Sequence, residues 1–170
     1  MNRNKEVLNN LIMSDEAHFH LTGLVNKQNC RYWSDRHPRG LVKKPLHSSK
    51  IIVWCCVATF AIIGPYFFGD ERGNACTVTS ERYANMLQGF FIPHLQGLPV
   101  NKTTYFQQDG ARSHTAKIAM NILCPLFPGH LISRYGEIVW PARSPDLSVC
   151  DLYLWGYLKS VVYVHHQLKN

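Results

Sequence analysis

Residues 51–69 read IIVWCCVATFAIIGPYFFG, a run of 19 residues without a charged side chain. A run of this length could cross a bilayer as a helix of about 20 residues. Its composition favours another structure, because β-branched and aromatic residues dominate it and Gly64-Pro65 interrupts it. The run divides into two lengths that are typical of strands, 51–59 and 62–68. We therefore predict two buried strands of a sheet covered on both faces, and no membrane partner.

The size and charge of the chain fit a compact domain with an anionic partner. The 170 residues correspond to one domain, and 46% hydrophobic against 17% charged residues excludes a disordered chain. Eighteen Lys and Arg residues against eleven acids give a net charge of +7. The balance is +5 over residues 1–50, −1 over 51–100 and +3 over 101–170. The two ends are therefore expected to face a polyanion, with nucleic acid ahead of an acidic membrane.

The period of the hydrophobic residues changes along the chain from that of strands to that of helices. Residues 15–21 alternate, which places Asp15 on one face of a strand and Glu16 on the other. Further strands are predicted at 30–33, 75–78, 103–108 and 137–140, and helices at 79–96, 115–126 and 148–164. A hydroxyl at Thr79 and at Ser113 would cap the first two helices. Antiparallel strands followed by alternating helices and strands predict a mixed α/β domain.

Three acids lie in apolar surroundings within these predicted elements. Asp15 is on the first strand, Asp109 follows the strand at 103–108 and Asp151 opens the last helix. Taken singly, each of them is more typical of a cap or a turn residue. As a set they offer the oxygen ligands that Mg²⁺ prefers, and without a cation three close carboxylates would repel one another. Two divalent ions held about 3.5–4 Å apart would serve phosphodiester chemistry.

Three blocks of the sequence resemble the catalytic domain of mariner/Tc1-type transposases. They are SDEAHFHLTG at 14–23, FQQDGARSHTA at 106–116 and WPARSPDLSVCDLYLWGYLK at 140–159. The resemblance extends from about residue 8 to residue 166 and implies an α/β, RNase H-like fold, with a mixed sheet of about five strands and flanking helices. It divides the chain into a residual linker (1–10), a catalytic domain (11–166) and a tail (167–170).

The resemblance also implies roles for individual residues. Asp15 and Asp109 correspond to the first and second metal-binding acids of the family. Asp146 and Asp151 are both candidates for the third, and we choose Asp151 because the family's third acid begins the helix with the x-x-L-W pattern. Asp146 would then close the preceding turn. His114 matches a family histidine five positions after the second acid, and either a polar contact near the metal or DNA or a structural role is expected of it.

The resemblance implies cut-and-paste DNA transposition, in which DNA strands are cleaved and transferred with Mg²⁺, or with Mn²⁺ in its place. The implied partners are element ends and target DNA, with a homodimer as one arrangement and the nucleus as the location. The family carries helix-turn-helix modules before this domain, whereas about ten residues precede the first strand here, so a truncated copy is expected. The alternative is a catalytically inactive or domesticated remnant that still binds nucleic acid.

Overall fold

The computed structural model describes residues 3–20, 50–70, 72–141 and 148–163. Within these ranges the chain forms a mixed sheet with helices on both faces. The strands, numbered in chain order, are β1 (Leu11–His20), β2 (Lys50–Val57), β3 (Ile62–Phe68), β4 (Tyr105–Gln107), β5 (Leu131–Ser133) and β6 (Ile138–Val139). The helices are α1 (Arg3–Asn9), α2 (Ser80–Met86), α3 (Ile92–Leu95), α4 (Lys117–Leu126) and α5 (Trp155–Tyr163), with π-helical turns at Leu87–Phe91 and Cys150–Leu154.

Strand β1 lies in the middle of the sheet, whose order is β3-β2-β1-β4-β5-β6. It pairs antiparallel with β2, where Asp15 lies opposite Cys55, and parallel with β4, where Met13 lies opposite Gln107. Strands β2 and β3 are antiparallel, whereas β5 and β6 continue the parallel half. The expected mixed α/β class is therefore confirmed, with the antiparallel strands first along the chain.

The larger core lies between one face of the sheet and the helices α2 to α4. Its centre consists of fully buried aromatic and aliphatic side chains from both layers. Trp54 of β2 packs edge-on against Phe91, with ring centres 5.6 Å apart, and Phe106 of β4 stacks on Phe127 at 5.2 Å. Of these rings only Trp54 comes from the uncharged run, which supplies β2 in the interior of the sheet and β3 at its edge.

A smaller core covers the opposite face, where the last helix packs against β1 and β2. It contains Ala17, Val53, Cys55, Cys150 and Trp155. The two strands predicted within 51–69 are confirmed as β2 and β3, but only β2 is covered on both faces. The prediction that both faces are covered is wrong for β3, because it is the edge strand of the sheet and one of its faces, with Ile62 and Phe67, is exposed. Among the described residues, no helix is long and apolar enough to cross a membrane.

The structure departs from the sequence-based prediction at short elements. The sheet has six strands rather than about five, because Leu131–Ser133 is too short to show a period. The predicted linker contains α1, and the predicted strand at 75–78 is reduced to one bridge between Gly69 and Ala75. The carboxylate of Asp70 binds the backbone N–H of Arg72 and Asn74, which turns the chain away from the sheet there. The strand predicted at 30–33 lies outside the described residues.

The helix starts show how local hydrogen bonds fix element boundaries. The hydroxyl of Thr79 accepts the backbone N–H of Arg82 at 3.3 Å, so the predicted cap of α2 is confirmed. The prediction that Ser113 caps the next helix is wrong, because α4 begins at Lys117 with Ala116 at the cap position. The preceding residues instead form a turn in which two backbone N–H groups, of residues 114 and 115, donate to the carbonyl oxygen of Ala111.

Candidate active site

The parallel register of β1 and β4 brings the first two predicted acids side by side. Met13 lies opposite Gln107, and Asp15 and Asp109 each follow two positions later. Asp15 lies within β1 rather than at its end, since β1 continues beside β2, and only 9% of its surface is exposed. The side chain of Asp109 is 48% exposed. The sheet therefore places one buried and one half-exposed carboxylate at the same level.

The third predicted acid, Asp151, lies in the π-helical turn that precedes α5. Two contacts hold this turn against β1. The thiol of Cys150 donates to the carbonyl oxygen of Met13 at 3.6 Å, and the indole Nε1 of Trp155 donates to Oδ2 of Asp15 at 2.7 Å. Asp151 is thereby brought close enough to Asp15 for the two carboxylates to affect each other's protonation.

Asp151 interacts electrostatically with both of the other acids. Burial and the charge of Asp151 raise the pKa of Asp15 to about 7, and the hydrogen bond from Trp155 opposes this shift only in part. Burial and the charge of Asp109 likewise raise the pKa of Asp151, against the opposing hydrogen bond to Asp15. The acids are thus close enough to repel, and this is the penalty that a bound cation removes.

His114 connects Asp109 to Glu16 in the interior of the domain. Its imidazole is 1% exposed, with Nδ1 2.5 Å from Oδ1 of Asp109 and Nε2 2.9 Å from Oε1 of Glu16. Burial alone would lower the pKa of His114, but the charges and hydrogen bonds of the two carboxylates raise it to about 10. In return, His114 and the backbone N–H of Ala111 lower the pKa of Asp109 although burial acts to raise it. Asp109 therefore becomes ionised at a lower pH than Asp15 does.

A buried polar network supports the segment that carries Asp109 and His114. The hydroxyl of Tyr83 donates to Oε1 of Gln108 at 2.9 Å, and its ring lies 4.4 Å from the imidazole of His114. The amide of Gln108 donates in turn to the carbonyl oxygen of His114 and to the hydroxyl of Ser133, each at 3.1 Å. The segment after β4 is therefore anchored to α2 and β5.

The described structure places Asp15, Asp109, Asp151 and His114 at one site, and Asp146 lies outside the described residues. Sequence reasoning missed Glu16 and Trp155 as partners of this site. Glu16 was missed because alternation on β1 puts it on the face opposite Asp15. Trp155 could have been found from its spacing, because it follows Asp151 by four positions, about one turn of a helix.

The donor set suits a hard divalent cation. The candidate ligand atoms are carboxylate oxygens, and the repulsion that raises the pKa of Asp15 and Asp151 would be relieved by positive charge. In the part of the chain that the structure describes, no group of three or more His, Cys, Asp or Glu side chains has the arrangement of a complete metal site. The fit therefore depends on the chemistry of the ligands and on their mutual repulsion.

Known proteins are similar to this chain in sequence and in fold. The chain is 26% identical over 160 residues to the Tc3 transposase of Caenorhabditis elegans, a match that covers 92% of this chain and 43% of the relative. It superimposes with a TM-score of 0.66 on a pre-cleavage Mos1 transpososome, at 20% identity over 94% of this chain and 44% of that one. The chain has the fold of a mariner/Tc1-type transposase catalytic domain. No protein-family model matches it.

The transposase fold is seen again in the isolated catalytic domain of the Mos1 mariner transposase. This structure gives a TM-score of 0.62 at 18% identity and covers 95% of this chain and 64% of that one. The RNase H-like fold and the resemblance to mariner/Tc1-type transposases are therefore confirmed. The chain spans less than half the length of the Tc3 relative and of the pre-cleavage Mos1 chain. Other Mos1 structures are described as a paired-end complex with the left transposon end, and as paired-end complexes with Mn and with Mg.

Proposed function

We propose that this chain is the catalytic domain of a cut-and-paste transposase, which cleaves and joins DNA strands with Mg²⁺, or with Mn²⁺ in its place. The observation that supports the proposal is that Asp15 and Asp109 follow the paired positions of two parallel strands, and that Asp151 interacts electrostatically with both of them. The similar proteins are transposases, and some of their structures contain a transposon end and Mn or Mg. These likenesses support DNA as the substrate.

In this proposal the three acids hold the metal, and Asp15 and Asp109 are oriented by different hydrogen-bond partners. A bound divalent ion would activate the attacking oxygen of a phosphodiester reaction and stabilise the leaving one. Trp155 fixes Oδ2 of Asp15, so this carboxylate cannot rotate freely. His114 and Ala111 both bind Oδ1 of Asp109, which leaves Oδ2 as the ligand atom.

The protonation of the site sets the pH at which it would load a cation. Because the pKa of Asp15 is raised to about 7, a proton must leave this carboxylate before it can act as a ligand near neutral pH. Asp109 needs no such step, since its pKa is lowered. Cation binding should therefore strengthen as the pH rises through 7, with Asp109 as the ligand that is ionised first.

A nicking assay tests the proposal. The purified chain is incubated with supercoiled plasmid in Mg²⁺ or in EDTA, and nicked circles are quantified. We expect Mg²⁺-dependent nicking that is lost in Asp109→Asn and Asp151→Asn and kept in the matched control Asp146→Asn. A wild-type chain that binds DNA without nicking it in Mg²⁺ or Mn²⁺ would contradict the proposal and would favour the inactive nucleic-acid-binding remnant.

A homodimer and a nuclear location stay predictions that follow from the resemblance. A transposase acting on chromosomal DNA would meet its substrate in the nucleus of a eukaryotic cell, and the similar Mos1 structures include paired-end complexes. Light scattering of the chain with and without a DNA duplex would measure its oligomeric state.

A further inference from the structure

A cationic side chain lies in the same row as the two acids of the parallel strands. Gln107 of β4 lies opposite Ile132 of β5, and Asp109 and Arg134 each follow two positions later. Since β1, β4 and β5 are parallel, the register that aligns Asp15 with Asp109 also aligns Asp109 with Arg134. Arg134 is therefore the next position along this edge of the sheet after the candidate site.

Local packing fixes the side chain of Arg134 beside the segment that carries Asp109. A Cβ atom added to Gly110 would lie 3.4 Å from Cδ and 3.7 Å from Cβ of Arg134, so the alkyl part of the arginine covers Gly110. The turn after β5 is closed by the N–H of Gly136, which donates to the carbonyl oxygen of Ser133 at 3.2 Å. Any side chain on Gly136 would collide with the carbonyl oxygen of Leu131. This turn therefore fixes the backbone from which the arginine extends.

The guanidinium group of Arg134 is preorganised and is not neutralised by a described carboxylate. Its central carbon lies 5.4 Å from the centre of the Tyr135 ring, and both residues are exposed, Tyr135 by 63%. The ion pairs found within the described residues both involve His114. A planar guanidinium that stacks on an aromatic ring keeps its N–H groups free for two parallel hydrogen bonds to a phosphate.

We infer that Arg134, stacked on Tyr135, binds a phosphate of the DNA backbone. This phosphate neighbours, on the same strand, the phosphate that reaches the three acids. The inference rests on the proposed function, and it makes Arg134 a positioning residue rather than a metal ligand. A DNA strand approaching Asp109 and Asp151 brings negative charge toward negative charge. A cation one strand away from Asp109 along this edge of the sheet offsets that repulsion and sets the register of the DNA strand.

The salt dependence of DNA binding tests this inference on the full chain. Anisotropy of a labelled duplex of about 30 base pairs is measured in EDTA between about 50 and 200 mM NaCl, because each phosphate contact adds about 0.9 to the slope of log K against log salt. The matched control is Lys102→Gln, which removes one exposed charge at the opposite, amino end of β4. We expect Arg134→Gln to reduce the slope by about 1 and Lys102→Gln to leave it unchanged.

Two further variants separate the charge of Arg134 from its stacking. Arg134→Lys should keep the slope, since it keeps the charge, but bind more weakly than the wild type because a lysine lacks the planar fork. Tyr135→Leu should also bind more weakly with an unchanged slope. Thermal melting should be close to wild type in all four variants, because these side chains are exposed.

The outcomes distinguish this inference from the proposed function. Equal slopes for Arg134→Gln and the wild type, or equal losses in Arg134→Gln and Lys102→Gln, would overturn the inference even if the wild type nicks DNA. A selective loss of slope in Arg134→Gln supports the phosphate contact, and absence of nicking in the same preparation would then overturn only the proposed catalysis. A wild type that does not bind the duplex would overturn both.

Discussion

The indole Nε1 of Trp155 donates a 2.7 Å hydrogen bond to Oδ2 of Asp15 and so joins the last helix to the central strand. Trp155 is 4% exposed and Asp15 is 9% exposed, so water does not replace this bond. Because Asp151 lies one helical turn before Trp155, the bond that orients the first acid also positions the third. The site is therefore completed by the last helix rather than by the sheet alone.

Trp155→Phe should destabilise the domain more at high pH than at low pH. The indole N–H stabilises the ionised form of Asp15, and a hydrogen bond to a charged group contributes about 1.5–3 kcal/mol. The loss should approach that range at pH 9, where Asp15 is ionised, and be smaller at pH 5, as measured by urea unfolding. Trp54→Phe is the matched control, because the buried N–H of Trp54 has no hydrogen-bond partner among the described residues. Equal losses for Trp155→Phe at the two pH values would contradict the account.

Asparagine substitutions at two of the acids should change stability in opposite directions when no metal is present. Carboxylate repulsion alone predicts that any such change is tolerated or stabilising. The structure corrects this for Asp109, whose pKa is lowered because it interacts with His114. At pH 8 we expect Asp15→Asn to raise the melting temperature, since burial and Asp151 disfavour the ionised Asp15, and Asp109→Asn to lower it. Shifts of the same sign would refute this difference between the two acids.

The stability of the domain should fall between about pH 7 and pH 10. His114 has its pKa raised to about 10, so its contribution is complete below the unfolded value of 6.5 and is lost as the pH rises through 10. Asp15 also makes the domain less stable as the pH rises, but over a lower range. Because its pKa is raised on folding, the free energy of unfolding falls between about pH 4 and about pH 7.

His114→Gln isolates the first of these two contributions. Removing the shared cation leaves Glu16 and Asp109 without their cationic partner, which should cost up to about 3 kcal/mol at pH 7. The variant should also lose the decline above pH 7 in urea unfolding. A variant that declines as steeply as the wild type would show that His114 is not charged in the folded state.

Local patterns predicted much of the fold and the identity of the acids. The bounds of β3 follow from the apolar run after residue 61, and the alternation of β1 placed Asp15 and Glu16 on opposite faces. Alternation could not show that Glu16 reaches the site from its own face through His114, because that contact spans 98 positions. The short strand β5 gave no signal of its own, and without it the position of Arg134 beside Asp109 could not be found.

The most direct test of the metal site is the melting temperature with and without divalent metal for three chains: wild type, Asp151→Asn and Asp146→Asn. At a metal concentration about 100 times the dissociation constant, binding stabilises a protein by about 2.7 kcal/mol. For a domain of this size, about 1 kcal/mol corresponds to about 2–4 °C. We predict that at pH 8 Mg²⁺ or Mn²⁺ raises the melting temperature of the wild type and of Asp146→Asn by several degrees, and that Asp151→Asn loses most of this shift. No shift in the wild type, or a shift that Asp146→Asn loses and Asp151→Asn keeps, would contradict the assignment of Asp15, Asp109 and Asp151 as the metal ligands.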